Sequence, residues 1–125
     1  MWEQPVIEHG VTTRWGWRVD HPQHFVLGKN TDIGFGTYIN SKQGVEIQDG
    51  VQIGSHCSIY SISTIDGKQG SVLLKRNCKV GTHSVIMPGV TIGENSVIGA
   101  FSFVTHSIPD NEMWVCVRKG FRKEI

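Results

Sequence analysis

Large aliphatic residues recur every six positions along most of this chain: Leu27, Ile33 and Ile39; Ile47, Ile53, Ile59 and Ile65; then Leu74, Val80, Ile86, Ile92, Ile98 and Val104. The three runs are separated by steps of eight residues (39 to 47) and nine (65 to 74). A glycine often follows the aliphatic, as at Gly28, Gly34, Gly54, Gly81, Gly93 and Gly99. The fourth residue after it is small or compact, as at Thr37, Cys57, Ser84 and Ser102. A helix would space apolar residues by three and four, and a hairpin strand would alternate without fixed punctuation. A six-residue unit with an inward aliphatic, a turn-permissive residue and an inward small residue is instead a short strand plus a corner. Such units wind into a parallel β-solenoid whose coils stack ~4.8 Å apart and hydrogen-bond only to their neighbours.

The composition agrees with that fold. Glycine is 15 of 125 residues, about 12% against a usual ~7%, and the reading assigns the excess to corners that need φ > 0. Charged residues are only 18%, below the usual ~25%, which leaves flat faces that self-association would cover. One domain is expected at this length. Its parts are an N-terminal cap or arm over 1–26 with Trp2, Trp15 and Trp17, a β-helix over 27–108 with a loop at 66–73, and a C-terminal strand or tail over 109–125.

Several classes are set aside. Twelve basic against eleven acidic residues give a net charge of +1, which supplies no general attraction to nucleic acid or a membrane surface. There is no apolar run of ~18 residues for a membrane span, and the start lacks a signal peptide's basic and apolar regions, so a cytoplasmic protein is expected. Three cysteines without CxxC or Cys/His ligand spacing argue against a disulfide framework, and no metal is expected.

The stretch from Ile92 to Asn111, IGENSVIGAFSFVTHSIPDN, with MPGVT before it, resembles the hexapeptide-repeat acyltransferases, most closely the galactoside and maltose O-acetyltransferase branch and its sugar-modifying relatives. The resemblance covers roughly residues 25–125. It implies three hexads per coil of a left-handed β-helix, a homotrimer, and acetyl-CoA as co-substrate in the groove between neighbouring chains. The acceptor it implies is a sugar or nucleotide sugar. With three hexads per coil, Leu27, Ile33 and Ile39 open faces one, two and three. Ile65 then starts the third coil, Leu74 falls on face two, and His83 stacks above Ile62. On this register Cys57 and Cys78 lie one above the other in the core as buried reduced thiols.

The same resemblance implies site residues. Thr82 and Ala100, 18 residues or one coil apart, match positions that line the pantetheine groove. Thr105 and His106 match a Thr-Lys pair near the nucleotide end, with His in place of Lys. Lys123 matches a base directed at CoA phosphate, with Arg118 and Lys119 close by as further cations. Two departures stand out. Phe101 takes the place of the usual Gly after Ala100, and the closing turn is Cys116 to Gly120. The family's catalytic His falls near Ile62 to Thr64, where this chain has none. Candidates for the general base are therefore His56 and His83, with Asp66 or a His from a neighbouring chain's arm still open. An amine acceptor, which can attack unaided, fits that lack. So does the alternative reading, a catalytically inactive trimer that serves as a binding or scaffold protein.

Overall fold

The computed structural model describes the backbone of residues 1–118 and 121–124 and the side chains of residues 1–115. The chain climbs through short strands in repeated order. The lowest turn holds β1 (Arg18–Asp20), β2 (Phe25–Leu27) and β3 (Asp32–Ile33), and the second β4 (Tyr38–Asn40), β5 (Val45–Ile47) and β6 (Gln52–Ile53). The third holds β7 (Ser58–Tyr60), an outlying hairpin of β8 (Ile62–Ser63) and β9 (Lys68–Gln69), then β10 (Val72–Leu74) and β11 (Lys79–Val80). Above them come β12 (Val85–Ile86), β13 (Thr91–Ile92) and β14 (Val97–Ile98), then β15 (Phe103–Val104), β16 (Met113–Arg118) and β17 (Phe121–Glu124).

Stacking these turns makes three parallel faces. Face one is β2-β5-β10-β13, face two β3-β6-β11-β14-β16, and face three β1-β4-β7-β12-β15, while β17 folds back antiparallel on β16. Because the register is in phase from turn to turn, equal positions form columns. Ile47, Leu74 and Ile92 are paired up face one, Ile53, Val80, Ile98 and Trp114 up face two, and Ile39, Ile59, Ile86 and Val104 up face three. All of these side chains are buried. The core is thus a stack of aliphatic layers with small residues at the corners, including Thr37, Cys57, Ser84 and Ser102.

Four expectations are corrected. The winding begins at Arg18 rather than at residue 27, since Val19 pairs with Ile39 on face three. The step of eight from Val19 to Leu27 repeats the step from Ile39 to Ile47, so one longer corner recurs in both lower turns. Only the segment before it lies over the open edge, with Trp17 and Pro5 buried there. The second correction concerns Ile65, which starts no coil. It is 96% exposed at the tip of the β8–β9 hairpin, so the excursion runs from Ser61 to Ser71 and Leu74 returns to face one, opposite Ile47.

Third, the shift moves the cysteines apart. The Cys57 thiol lies beside Gly81 O on the corner between faces two and three, while Gln52 N donates to Cys78 O on the corner between faces one and two. Fourth, the glycines that follow the aliphatics are not the left-handed ones. A Cβ on Gly34 would stand 2.4 Å from the Ser55 backbone nitrogen, so these positions exclude side chains because the next coil is too close. The left-handed residue comes two places later and is mostly not glycine: His56, His83 and Phe101 on one corner, Asn30, Asn77, Asn95 and Asn111 on another, all with φ between 55° and 60°. Asn and His tolerate this region better than most side chains do.

Two substitutions separate the two constraints. Gly34→Ala forces a Cβ into the backbone of the next coil and should lower unfolding stability by about 1–3 kcal/mol. Ile59→Ala empties a fully buried layer and should lower it by about 2–5 kcal/mol. Chemical denaturation followed by circular dichroism reads both.

Candidate functional site

The corner between faces two and three carries most of the candidate residues. The backbone ladder fixes their order: His56 N donates to Phe35 O at 2.9 Å, His83 N to Ser55 O at 3.0 Å, and Phe101 N to Thr82 O at 2.9 Å. Ser55, Thr82 and Ala100 therefore share one vertical line, and His56, His83 and Phe101 share the line beside it. Because the left-handed backbone aims these three side chains the same way at each turn, their rings stack. The His56 and His83 centroids are 5.0 Å apart with planes 19° apart, and those of His83 and Phe101 are 4.9 Å and 13° apart. Phe35 closes the lower end with its edge toward His56 at 5.7 Å.

His83 is the most constrained member. Thr82 Oγ1 donates to Ser55 O at 2.8 Å, and Ser55 Oγ lies 3.0 Å from the same hydroxyl. Thr82 Oγ1 and His83 Nδ1 are 2.8 Å apart. In the tautomer whose Nδ1 donates to this hydroxyl, the lone pair of the neutral ring lies on Nε2. Both faces of the ring are covered, by His56 and Phe101, so a ligand meets it at the Nε2 edge. Phe101 is itself in the left-handed region at φ 60° and 70% exposed. A bulky residue held there is strained, a state associated with functional sites.

Face three adjoins this corner. Its outward residues Tyr38 and Tyr60 meet diagonally across adjacent strands, Tyr38 opposite Ser58 and Tyr60 opposite Asn40, with centroids 5.9 Å apart, and with Asn40, Ile62, Thr64 and Met87 they line a hollow of about 390 Å3 under the hairpin. Tyr38 Oη donates to Asp20 Oδ2 at 2.6 Å, and Arg18 Nε to Asp20 Oδ1 at 3.0 Å. The Arg18 hydrogen bond holds the Asp20 carboxyl below its ordinary range. Burial first, and then the bond to Asp20, push the Tyr38 phenol up to about 12, so Tyr38 serves as a donor and not as a base near neutrality.

Thr105 and His106 do not join the ring column. They sit on the next corner, across β15 from Phe101, where Thr105 Oγ1 and His106 Nδ1 are 2.9 Å apart. Arg118, Lys119 and Lys123 fall outside the residues whose side chains are described. Asp66 accepts the Lys68 backbone N–H at 3.2 Å within the hairpin turn, and that bond holds it below the usual carboxylate range. Among the described residues no group of three or more His, Cys, Asp or Glu is placed to hold a metal, and no helix is long and apolar enough to cross a membrane. The Cys57 and Cys78 thiols are buried, and burial pushes Cys78 up to about 12.

Sequence reasoning put Thr82, His83 and Ala100 together, but set His83 above Ile62 instead of His56. The 27-residue separation of His56 and His83 hides the pairing, since one hexad coil is 18 and the hairpin supplies the rest. The outward pair Tyr38 and Tyr60 was missed altogether. The 20-residue step from Ile39 to Ile59 sets Tyr38 opposite Ser58 and Asn40 opposite Tyr60, so the repeat alone does not announce this diagonal contact.

Residues 71–106 match the family model of the bacterial transferase hexapeptide (six repeats). The galactoside O-acetyltransferase of Escherichia coli strain K12 is 36% identical over 108 residues, which cover 74% of this chain and 53% of that protein. The chain spans about half the length of the curated galactoside O-acetyltransferases it matches. Among solved structures, a maltose O-acetyltransferase from Clostridium difficile 630 superposes with a TM-score of 0.75 at 28% identity, covering 88% of this chain and 62% of that one. A variant of AntD, an N-acyltransferase from Bacillus cereus solved with dTDP-4-amino-4,6-dideoxyglucose and coenzyme A, gives a TM-score of 0.60 at 29% identity, covering 88% and 68%.

The Tyr38 arrangement has a pH signature. The folded protein holds this phenol protonated above the ordinary tyrosine value of ~10, so its contribution to stability is complete below about pH 10 and disappears as pH rises through about 12. Ultraviolet titration should show one of the two tyrosines ionising near 12, and Asp20→Asn should bring that transition down. The buried thiols give a second check: Cys57 and Cys78 should stay unreactive to a disulfide reagent until the chain unfolds.

Proposed function

The chain belongs to the hexapeptide-repeat family of bacterial transferases, and from that membership we propose that it is a CoA-dependent acyltransferase acting on a sugar or nucleotide sugar. The named activities of its similar proteins and the coenzyme A in the solved AntD complex support the donor. The working form in this reading is a homotrimer of left-handed β-helices with the site at the seam between chains. The pantetheine arm runs along the line of Ser55, Thr82 and Ala100, with Thr105 and His106 toward the nucleotide. Arg118, Lys119 and Lys123 meet the phosphates.

The observation that carries the reading is the Ser55–Thr82–His83 chain of contacts, which orients one imidazole nitrogen outward beside the line assigned to the thioester. An acceptor O–H or N–H attacks the thioester carbonyl carbon and a new C–O or C–N bond forms. His83 Nε2 takes the acceptor's proton, the tetrahedral intermediate collapses, and the C–S bond breaks. The proton then passes from His83 to the departing CoA sulfur. His56 stacks beneath and helps hold the ring, so His83 is the catalytic residue and His56 a positioning one.

Replacing His83 by Ala should lower kcat by about 10²–10⁴-fold with acetyl-CoA binding by calorimetry intact, while His56→Ala should lower it less. An unchanged rate in His83→Ala overturns the assignment of the base. Failure of the unmodified chain to bind acetyl-CoA overturns the enzyme reading in favour of a non-catalytic scaffold. That alternative is favoured by the lack of a His on the hairpin and by the Phe101 ring beside the groove.

A further inference from the structure

We propose that the hollow at the foot of the solenoid is a second carbohydrate site, built to take a single pyranose ring. It holds about 210 Å3 and is lined by Trp2, Glu3, Arg14, Trp15, Trp17 and Asp32, among others. That volume falls below the ~300–1,000 Å3 of pockets for drug-sized ligands, which sets the scale at one ring. The hollow lies at the lower edge of face two, where β3 is the terminal strand, and so at the end of the stack opposite Phe101.

Covering that edge does not by itself call for this construction. Trp17 is 4% exposed and does the covering, packed into the core cluster. Trp2 and Trp15 do not close over it. Trp15 is 38% exposed, and the pair leave a concave space between themselves and the first turn. Gly16, between Trp15 and Trp17 in sequence, packs against Phe35, where a Cβ would stand 2.1 Å from the ring.

The polar groups of the lining select the ligand. Arg14 lies with its guanidinium carbon 4.5 Å from the centroid of the Trp15 ring and bonds Glu3 Oε2 at 3.2 Å. A cation's place on that ring face is therefore already taken. The lining combines indole surface with the Arg14 guanidinium as donor and the Glu3 and Asp32 carboxylates as acceptors. A pyranose matches this pattern, with an apolar C–H face and hydroxyls that both donate and accept at its edge. A simple ammonium ion would use only the acceptors.

The test uses the full chain without acetyl-CoA, so its outcome is independent of the acyl-transfer reading. Intrinsic tryptophan fluorescence is titrated with methyl pyranosides and, in parallel, with tetramethylammonium. The expected result is a saturable change with a millimolar Kd for at least one pyranoside, weakened about tenfold or more in Trp15→Ala. Asp32→Asn, which touches no core layer, should weaken it with an unchanged unfolding midpoint, and His83→Ala should leave it unaltered. The proposal is overturned if no pyranoside saturates, if Trp15→Ala and Asp32→Asn bind as well as the unmodified chain, or if tetramethylammonium binds more tightly than every pyranoside.

Discussion

The parallel backbone ladder between successive coils sets everything else in this molecule. Each coil donates to the next at a spacing of ~4.8 Å, so a residue's neighbours are the residues at its own position one turn above and below. That constraint sorts side chains by position more than by local sequence. Positions that face inward become aliphatic layers, positions where coils approach too closely must be glycine, and positions in the left-handed region become vertical rows. One such row is polar, with Asn30, Gly50, Asn77, Asn95 and Asn111, and another is aromatic, with His56, His83 and Phe101. Stability and site geometry therefore come from one repeated backbone.

Much of the fold was legible because the hexad is a strict pattern. The aliphatic positions from Leu74 to Val104 all proved inward, and the small residues Ser84 and Ser102 filled the corner as read. Two of the errors, the start of the third coil and the pairing of the cysteines, share one cause. Ile65 fits the six-residue spacing but lies on a hairpin that leaves the body, and hydrophobic spacing alone carries no sign of that departure. Once Ile65 was counted, Leu74, Cys78 and His83 all moved by one face. The glycines misled in a subtler way, since a residue chosen for the absence of a Cβ looks identical in sequence to one chosen for positive φ. Only the distance from Gly34 to the next coil tells the two apart.

The candidate site was legible in the Thr82–Ala100 line and hidden in its rings. Thr82 and Ala100 align because 18 residues make one uninterrupted coil, as the hexad spacing anticipates. What sequence did not expose is that His83 is held on three sides, by Thr82 at its inner nitrogen and by rings above and below. An imidazole fixed in this way presents one nitrogen along one direction, the preorganisation on which the proposed proton transfer depends. Tyr38 shows the complementary case, a phenol kept protonated by burial and by a carboxylate at 2.6 Å, and thus restricted to donating.

The hairpin between Ser61 and Ser71 leaves the stack and returns without disturbing it. Ser58 and Ile59 pair with Val85 and Ile86 in the same phase as Tyr38 and Ile39 pair with Ser58 and Ile59 below. The wall over the face-three hollow is thus mechanically uncoupled from the scaffold, much as an interchangeable tool is from its handle. Length and composition at that corner are therefore not set by the packing of the layers beneath. A change in the hairpin reshapes the wall of the hollow and leaves the fold as it is.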